Sequence, residues 1–298
     1  MNTALLILPN FVLILVGLAL ARGFDYGRGF WEGLEKLVYF VLFPALLLRS
    51  LAVSVLDLAS VGKVVACAWA IMLLGMALAW LARPLFRVEA KVAASCFQCG
   101  FRFNTYIVLA VADRLGGAPA LALASLLVGV LVPTVNVAAV SMLAHGRGVS
   151  VVAELVRNPL VLATAAGLAW NVAGLPVPPL PARLLELLAS AALPLGLLAV
   201  GAGLTFERHA LPLPALAWFH AVKLVAMPAI AFLAARALAL SPLEMQVAMT
   251  QAAVPTATSA YILAARMNGR GAPVALIVSS GTLLAALTLP LWLGLVAR

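Results

Sequence analysis

Long apolar runs, each closed by a short cluster of Arg, Lys, Gly or Pro, divide the chain from end to end. Windows of about 20 residues, the length a helix needs to cross a bilayer, fall at residues 4–21, 36–55, 62–82, 91–112, 119–144, 158–174, 184–205, 213–235, 242–265 and 272–296. The pattern predicts an all-α integral membrane protein of ten transmembrane helices with no soluble domain between them. The apolar core of the first window begins at Leu5 with no positively charged stretch before it, so residues 1–22 read as a membrane span rather than a cleaved leader.

Two of these runs are interrupted. Gly100, Phe101, Arg102, Phe103, Asn104, Thr105 and Tyr106 put a guanidinium, an amide and two hydroxyls in the middle of the run from Val92 to Ala112. A charge near the bilayer centre costs about 2.5 kcal/mol or more, so this segment faces protein or water. Thr250 to Ser259, centred on Ala253-Val254-Pro255-Thr256, interrupts the ninth window in the same manner. Paired breaks in corresponding spans of two halves are the best sequence pointer to a transporter's binding site.

The halves repeat. Pro9 matches Pro159, Gly17-Leu18-Ala19 matches Gly167-Leu168-Ala169, and Pro44 with Leu47-Leu48 matches Pro194 with Leu197-Leu198, all at an offset of 150. The offset drifts to 152 at Arg114 and Arg266, then to 154 at Ala118-Pro119 and Ala272-Pro273. The expected division is residues 1–148 and 149–298, five spans each. Five is odd, so the second unit enters the membrane from the opposite side and the repeats are inverted.

Loop charges set the orientation. With the N-terminus outside, the inner segments carry eleven Lys and Arg (Arg22, Arg28, Lys36, Arg83, Arg87, Lys91, Arg147, Arg157, Arg208, Arg266, Arg270) and the outer ones five (Lys63, Arg114, Arg183, Arg236, Arg298). Positive residues collect on the cytoplasmic side. Both termini are therefore expected to be extracellular or periplasmic, in a plasma or inner membrane.

Composition agrees. The 298 residues are 65% hydrophobic and 10% charged, far from the quarter charged of soluble domains. The net charge of +9 is scattered singly between apolar runs rather than gathered on one face, which argues against nucleic acid as a partner. Cys67, Cys96 and Cys99 all fall within apolar runs and read as packing residues. No metal or cofactor is expected.

Several motifs together resemble the auxin efflux carrier family. They are Pro44 to Leu48 after Val38-Tyr39-Phe40, Arg157-Asn158-Pro159, Ala192-Leu193-Pro194-Leu195 running to Gly201-Ala202-Gly203-Leu204, Ala252-Ala253-Val254-Pro255, and Asn104-Thr105. The resemblance spans essentially the whole chain. It implies a fold similar to sodium/bile-acid symporters and sodium/proton antiporters, with spans four and nine crossing at the membrane midplane. It also implies a scaffold of spans 1, 2, 6 and 7, a transport domain of spans 3–5 and 8–10, and a homodimer through the scaffold. The long central loop of plant members is missing: His145 to Arg157 alone joins the halves.

Around the breaks, Pro255 frees a carbonyl one turn earlier, and Gly100 and Asn104 tolerate non-helical backbone. The candidate substrate-binding residues are Gln98, Arg102, Asn104, Thr105, Gln251, Pro255, Thr256 and Thr258. Arg102, ten residues from either end of its run, suits an anion; the alternative is structural neutralisation by carbonyls or by Asp113. His220 and Lys223, one turn apart in span eight, and Asp113 are candidates for coupling or charge compensation, with snorkelling the alternative for Lys223. Arg49 reads as an interfacial snorkel. None of the ten acids sits at the centre of a run, which weakens proton or sodium coupling.

These features predict a secondary transporter of a small organic anion, a carboxylate of auxin-like or dicarboxylate type, working by elevator-like alternating access. The alternative on the same fold is a cation/proton antiporter or sodium-coupled symporter. Further off are an intramembrane redox enzyme using Cys96, Cys99 and His220, and a non-transporting sensor. The partners expected are the anion, the lipid bilayer and a second copy of the chain.

Overall fold

The computed structural model describes residues 3–24, 26–54, 58–143, 156–205 and 210–296. Asp25, Asp57, Glu154, Glu207, Arg147, Arg208, Arg298, the side chain of Arg28 and most of the connecting segment, residues 145–155, lie outside the described residues. Every regular element among the described residues is helical.

In chain order the helices are α1 (Thr3–Gly23), α2 (Gly27–Leu37), α3 (Phe43–Ala52), α4 (Leu58–Trp80), α5 (Ala82–Phe86), α6 (Ala90–Cys96), α7 (Thr105–Leu143), α8 (Pro159–Val172), α9 (Pro179–Ala202), α10 (Leu213–Ala221), α11 (Met227–Ala237), α12 (Pro242–Ala253), α13 (Ser259–Arg266) and α14 (Gly271–Val296). Wider π turns at Val38–Leu42 and Val222–Ala226 join α2 to α3 and α10 to α11. Each precedes a proline, Pro44 or Pro228, whose missing N–H leaves the ladder room to reset.

Among the described residues, six helical stretches are long and apolar enough to cross a membrane: Leu5–Gly23, Val61–Phe86, Ala90–Leu143, Pro179–Ala202, Leu213–Ala237 and Gly271–Val296; Pro159–Val172 is a shorter apolar helix. The stretch Ala90–Leu143 holds two of the sequence windows and bends at Gly117, whose φ of 59° and ψ of −150° lie outside helical space. The window at 36–55 falls outside the six because its helical run ends at Ala52, and the last stretch of spanning length carries three charges, Glu35, Lys36 and Arg49. The window at 242–265 does so because its backbone leaves the helix after Ala253, leaving pieces of 12 and 8 residues.

The chain forms two compact units. Unit 1 comprises Met1–Val61, Tyr106–Pro133 and Val152–Gly203. Here α1 packs along α9, and α3 packs on α8 and α9. Small residues let the backbones touch, as membrane helices require in place of a hydrophobic driving force. A Cβ on Gly17 would run into the carbonyl oxygen of Leu198, and one on Gly201 into that of Ile14. A Cβ on Gly167 would come within 2.9 Å of the Leu48 carbonyl oxygen. Ser50 Oγ donates to Ser125 Oγ at 2.9 Å, and Tyr106 stacks on Phe43 with centroids 4.7 Å apart.

Unit 2 comprises Gly62–Thr105, Thr134–Val151 and Leu204–Arg298. In it α12 packs on α11 and α14, and α13 packs on α14. A core of Ala79, Cys96, Cys99, Phe219, Ala260, Val274 and Ile277 fills one side. The start of α12 is set by a capping box: Glu244 Oε2 accepts from Ser241 N at 2.6 Å, and Ser241 Oγ accepts from Glu244 N at 3.4 Å. Pro242 takes the first helical position, where no N–H is needed. Ser241→Ala is expected to cost about 1 kcal/mol, read as a lowered unfolding temperature in nanodiscs with no change in oligomeric state.

Candidate functional site

The first break forms where α6 tightens into a 3-10 turn, Phe97–Gly100, makes a last helical bond from Arg102 N to Gln98 O at 2.8 Å, and leaves the helix over Phe103 and Asn104. Gly100 is needed there, because a Cβ would strike the side chain of Ala79. The second break begins at Val254, with φ −68° and ψ 151°. A residue preceding proline is pushed from helical to extended backbone, and Pro255 follows it. Helix resumes at Ser259.

The two breaks are hydrogen-bonded to each other. Asn104 N donates to Pro255 O at 2.9 Å, Thr256 Oγ1 donates to Cys99 O at 2.8 Å, and Gln98 Nε2 donates to Ala260 O at 3.0 Å. Peptide groups released from each helix are thus partly satisfied by the other break. That keeps irregular backbone tolerable at depth in a membrane protein.

Arg102, 9% exposed, donates through NH1 to Gln98 Oε1 at 3.1 Å and through NH2 to Asn136 Oδ1 at 2.8 Å. Gln98 therefore bridges the guanidinium to the second break. Lys223, 2% exposed, donates to Ala252 O at 3.0 Å and faces Met227 Sδ at 3.8 Å. That carbonyl is in the last turn of α12, the negative end of its dipole. Among the described residues Lys223 forms no ion pair with a carboxylate. Gln251, 0% exposed, has neither amide atom hydrogen-bonded. Leaving such a group unsatisfied costs about 1–3 kcal/mol.

Among the residues singled out from the sequence, Gln98, Arg102, Asn104, Pro255 and Thr256 are joined in this hydrogen-bonded cluster. Lys223 attaches to its second helix through Ala252. Thr105 opens α7, and buried Thr258 immediately precedes α13. His220 lies elsewhere in unit 2, with Nε2 2.9 Å from Ser280 Oγ. Asp113 belongs to unit 1, where it lines a cavity with Arg49 and Arg114. Arg49 also lies 4.0 Å from Glu186. Cys96 and Cys99 are reduced and fully buried in the core of unit 2.

Sequence reasoning missed Asn136, the second acceptor for Arg102. Its signal was an amide three residues after Pro133 inside an apolar run. The carbonyls of Cys99 and Ala252 carry no side-chain signal at all.

A helical membrane protein with two cross-bonded interrupted spans has the architecture of a transporter. The profile of a family described as membrane transport protein matches residues 145–293, half of the chain. The chain belongs to that family, the one that contains the auxin efflux carriers. It is a multi-pass membrane transporter, and the family is one of transport proteins rather than enzymes. Compared with curated proteins one by one, the chain has no significant match.

Proposed function

We propose that the chain is a secondary transporter of small organic anions, bound where the two breaks meet. The observation that carries this reading is Lys223. Its buried Nζ covers the carbonyl end of α12, and among the described residues it forms no ion pair with a carboxylate. With that carbonyl end already met by Lys223, the fixed charge at the breaks is the guanidinium of Arg102. An anion fits that charge and a further cation does not. Gln251, with both amide atoms open, adds a donor and an acceptor on α12.

In this reading the ten spans are two inverted five-span repeats. The glycine contacts support it. Shifting Gly17 against Leu198 by the 150-residue offset gives Gly167 against Leu48 with the roles exchanged, as a two-fold relation between halves requires. Alternating access follows by an elevator-like displacement of the helices that hold the crossing. The protein works as a homodimer through spans 1, 2, 6 and 7, with both termini outside.

The test is uptake of radiolabelled monocarboxylates and dicarboxylates into proteoliposomes, with a pH dye recording proton flux across imposed sodium and potassium gradients. The expected result is saturable carboxylate uptake that falls about tenfold or more in Arg102→Ala and in Lys223→Met, as for loss of a charge-assisted bond. Uptake indifferent to both substitutions, or cation-driven proton flux with no anion requirement, defeats the proposal.

A further inference from the structure

At one end of unit 2 the turn from α5 to α6 lies beside the turn from α13 to α14. Arg270 comes to 3.7 Å from Glu89, and Arg270 N donates to Ser95 Oγ at 2.8 Å. Gly269 permits the approach, because a Cβ there would lie 2.7 Å from Ser95 Oγ.

Both turns are basic. Arg83, Arg87, Lys91, Arg266 and Arg270 lie in or next to them, against Glu89 alone, five cations to one anion. Glu89 is met by Arg270, and among the described residues Arg83, Arg87, Lys91 and Arg266 form no ion pair. The counter-charge for this face is therefore not supplied by the described part of the unit. All five cations belong to segments whose loop charges predict the inner side, where anionic lipids make the membrane surface negative.

Two clefts flank α6 at this end. One, of about 340 Å³, is lined by Lys91 and Asn268 with Gly269 and Leu143. The other, of about 220 Å³, has a hydrocarbon wall that includes Ala79, Ala93, Phe97 and Met142, and it also takes in Trp80 and Arg83. Ala94 lines both, so a single small side chain separates them. An unpaired ammonium in one cleft and an apolar wall in the next match an amphiphile better than a free ion. Trp80 is 57% exposed, and an indole so placed suits the level of lipid headgroups, where its ring meets hydrocarbon and its N–H meets polar groups. Basic pockets between membrane helices are where anionic headgroups bind.

We propose that this face binds one anionic phospholipid, its phosphate at Lys91 and Asn268 and an acyl chain in the apolar cleft beside Trp80, with Arg83 at the headgroup. The site lies apart from the bonds that join the two breaks and does not rest on the transport reading.

The experiment uses the full chain in mixed detergent micelles with radiolabelled dioleoyl phosphatidylglycerol, bound lipid being read by scintillation proximity. Dioleoyl phosphatidylcholine, with the same chains and no net charge, and glycerophosphate, with the phosphate and no chains, serve as competitors. Saturable phosphatidylglycerol binding is expected, displaced by neither. Affinity should fall about fivefold in Lys91→Gln and in Arg83→Gln, the effect of one basic group beside an anionic lipid. It should stay within about twofold in Lys63→Gln, which removes an exposed cation near the other end of α4. Arg83 is exposed, so its substitution should leave the unfolding temperature unchanged, and it decides alone if Lys91→Gln does not fold. Absence of saturable binding, displacement by phosphatidylcholine, displacement by glycerophosphate, unchanged affinity in either folded glutamine variant at Lys91 or Arg83, or an equal loss in Lys63→Gln overturns the proposal.

Discussion

Gly201→Val should strongly destabilise the folded protein. A Cβ at this position meets the carbonyl oxygen of Ile14, and the same helix pair is pinned a turn away by Gly17 beneath the Leu198 carbonyl. Both obstacles are backbone, so no rotamer change relieves them and α1 must move away from α9. Overpacking a tight site costs about 1–3 kcal/mol even when side chains can shift, and here the relief is a separation of two whole helices. An unfolding temperature lower by roughly 6–12 °C or more follows from the usual conversion for large domains. Fluorescence-detected size exclusion on heated samples reads it. Gly294→Val is the control, because nothing lies within 4 Å of a Cβ there. Equal behaviour of the two variants would mean that α1 and α9 do not make this contact.

Pro255→Ala should leave a folded protein that no longer transports. The proline holds Val254 extended and withholds an N–H from the helix. Alanine lifts both constraints, and α12 can then propagate toward Ser259, gaining ladder bonds as it goes. The cost falls on the crossing. The bonds from Asn104 N to Pro255 O and from Thr256 Oγ1 to Cys99 O require the break in its present place. Displacing positioned groups by about 1 Å can cost on the order of 100-fold in rate, and a loss of that order in anion uptake is expected with a normal size-exclusion profile. Uptake within about threefold of wild type would show that the break is not needed for passage.

How much of this was legible in the chain depends on the kind of signal. That the chain is helical and crosses a membrane several times was, because hydrocarbon admits only closed backbone and apolar side chains, so length and composition of each run are forced. The breaks were, because Arg102, Asn104 and Pro255 are residues that a continuous lipid-facing helix does not carry. Asn136 was overlooked, since one amide in an apolar run looks alike whether it caps, packs or accepts from a guanidinium. The cavity of unit 1 joins Arg49, Asp113 and Glu186 from three separate helices, and no local pattern announces that meeting.

The sequence by itself determined that this is a helical membrane protein with two interrupted apolar runs, since those properties follow from residue type and spacing. Only the tertiary structure decided that the interruptions bond to each other, that Lys223 lies on the Ala252 carbonyl, and that Asp113 and Arg49 line one cavity. The reason is that such pairings are made by backbone atoms and by helices far apart in the chain. Their partners are fixed by packing, and packing leaves no periodicity to read.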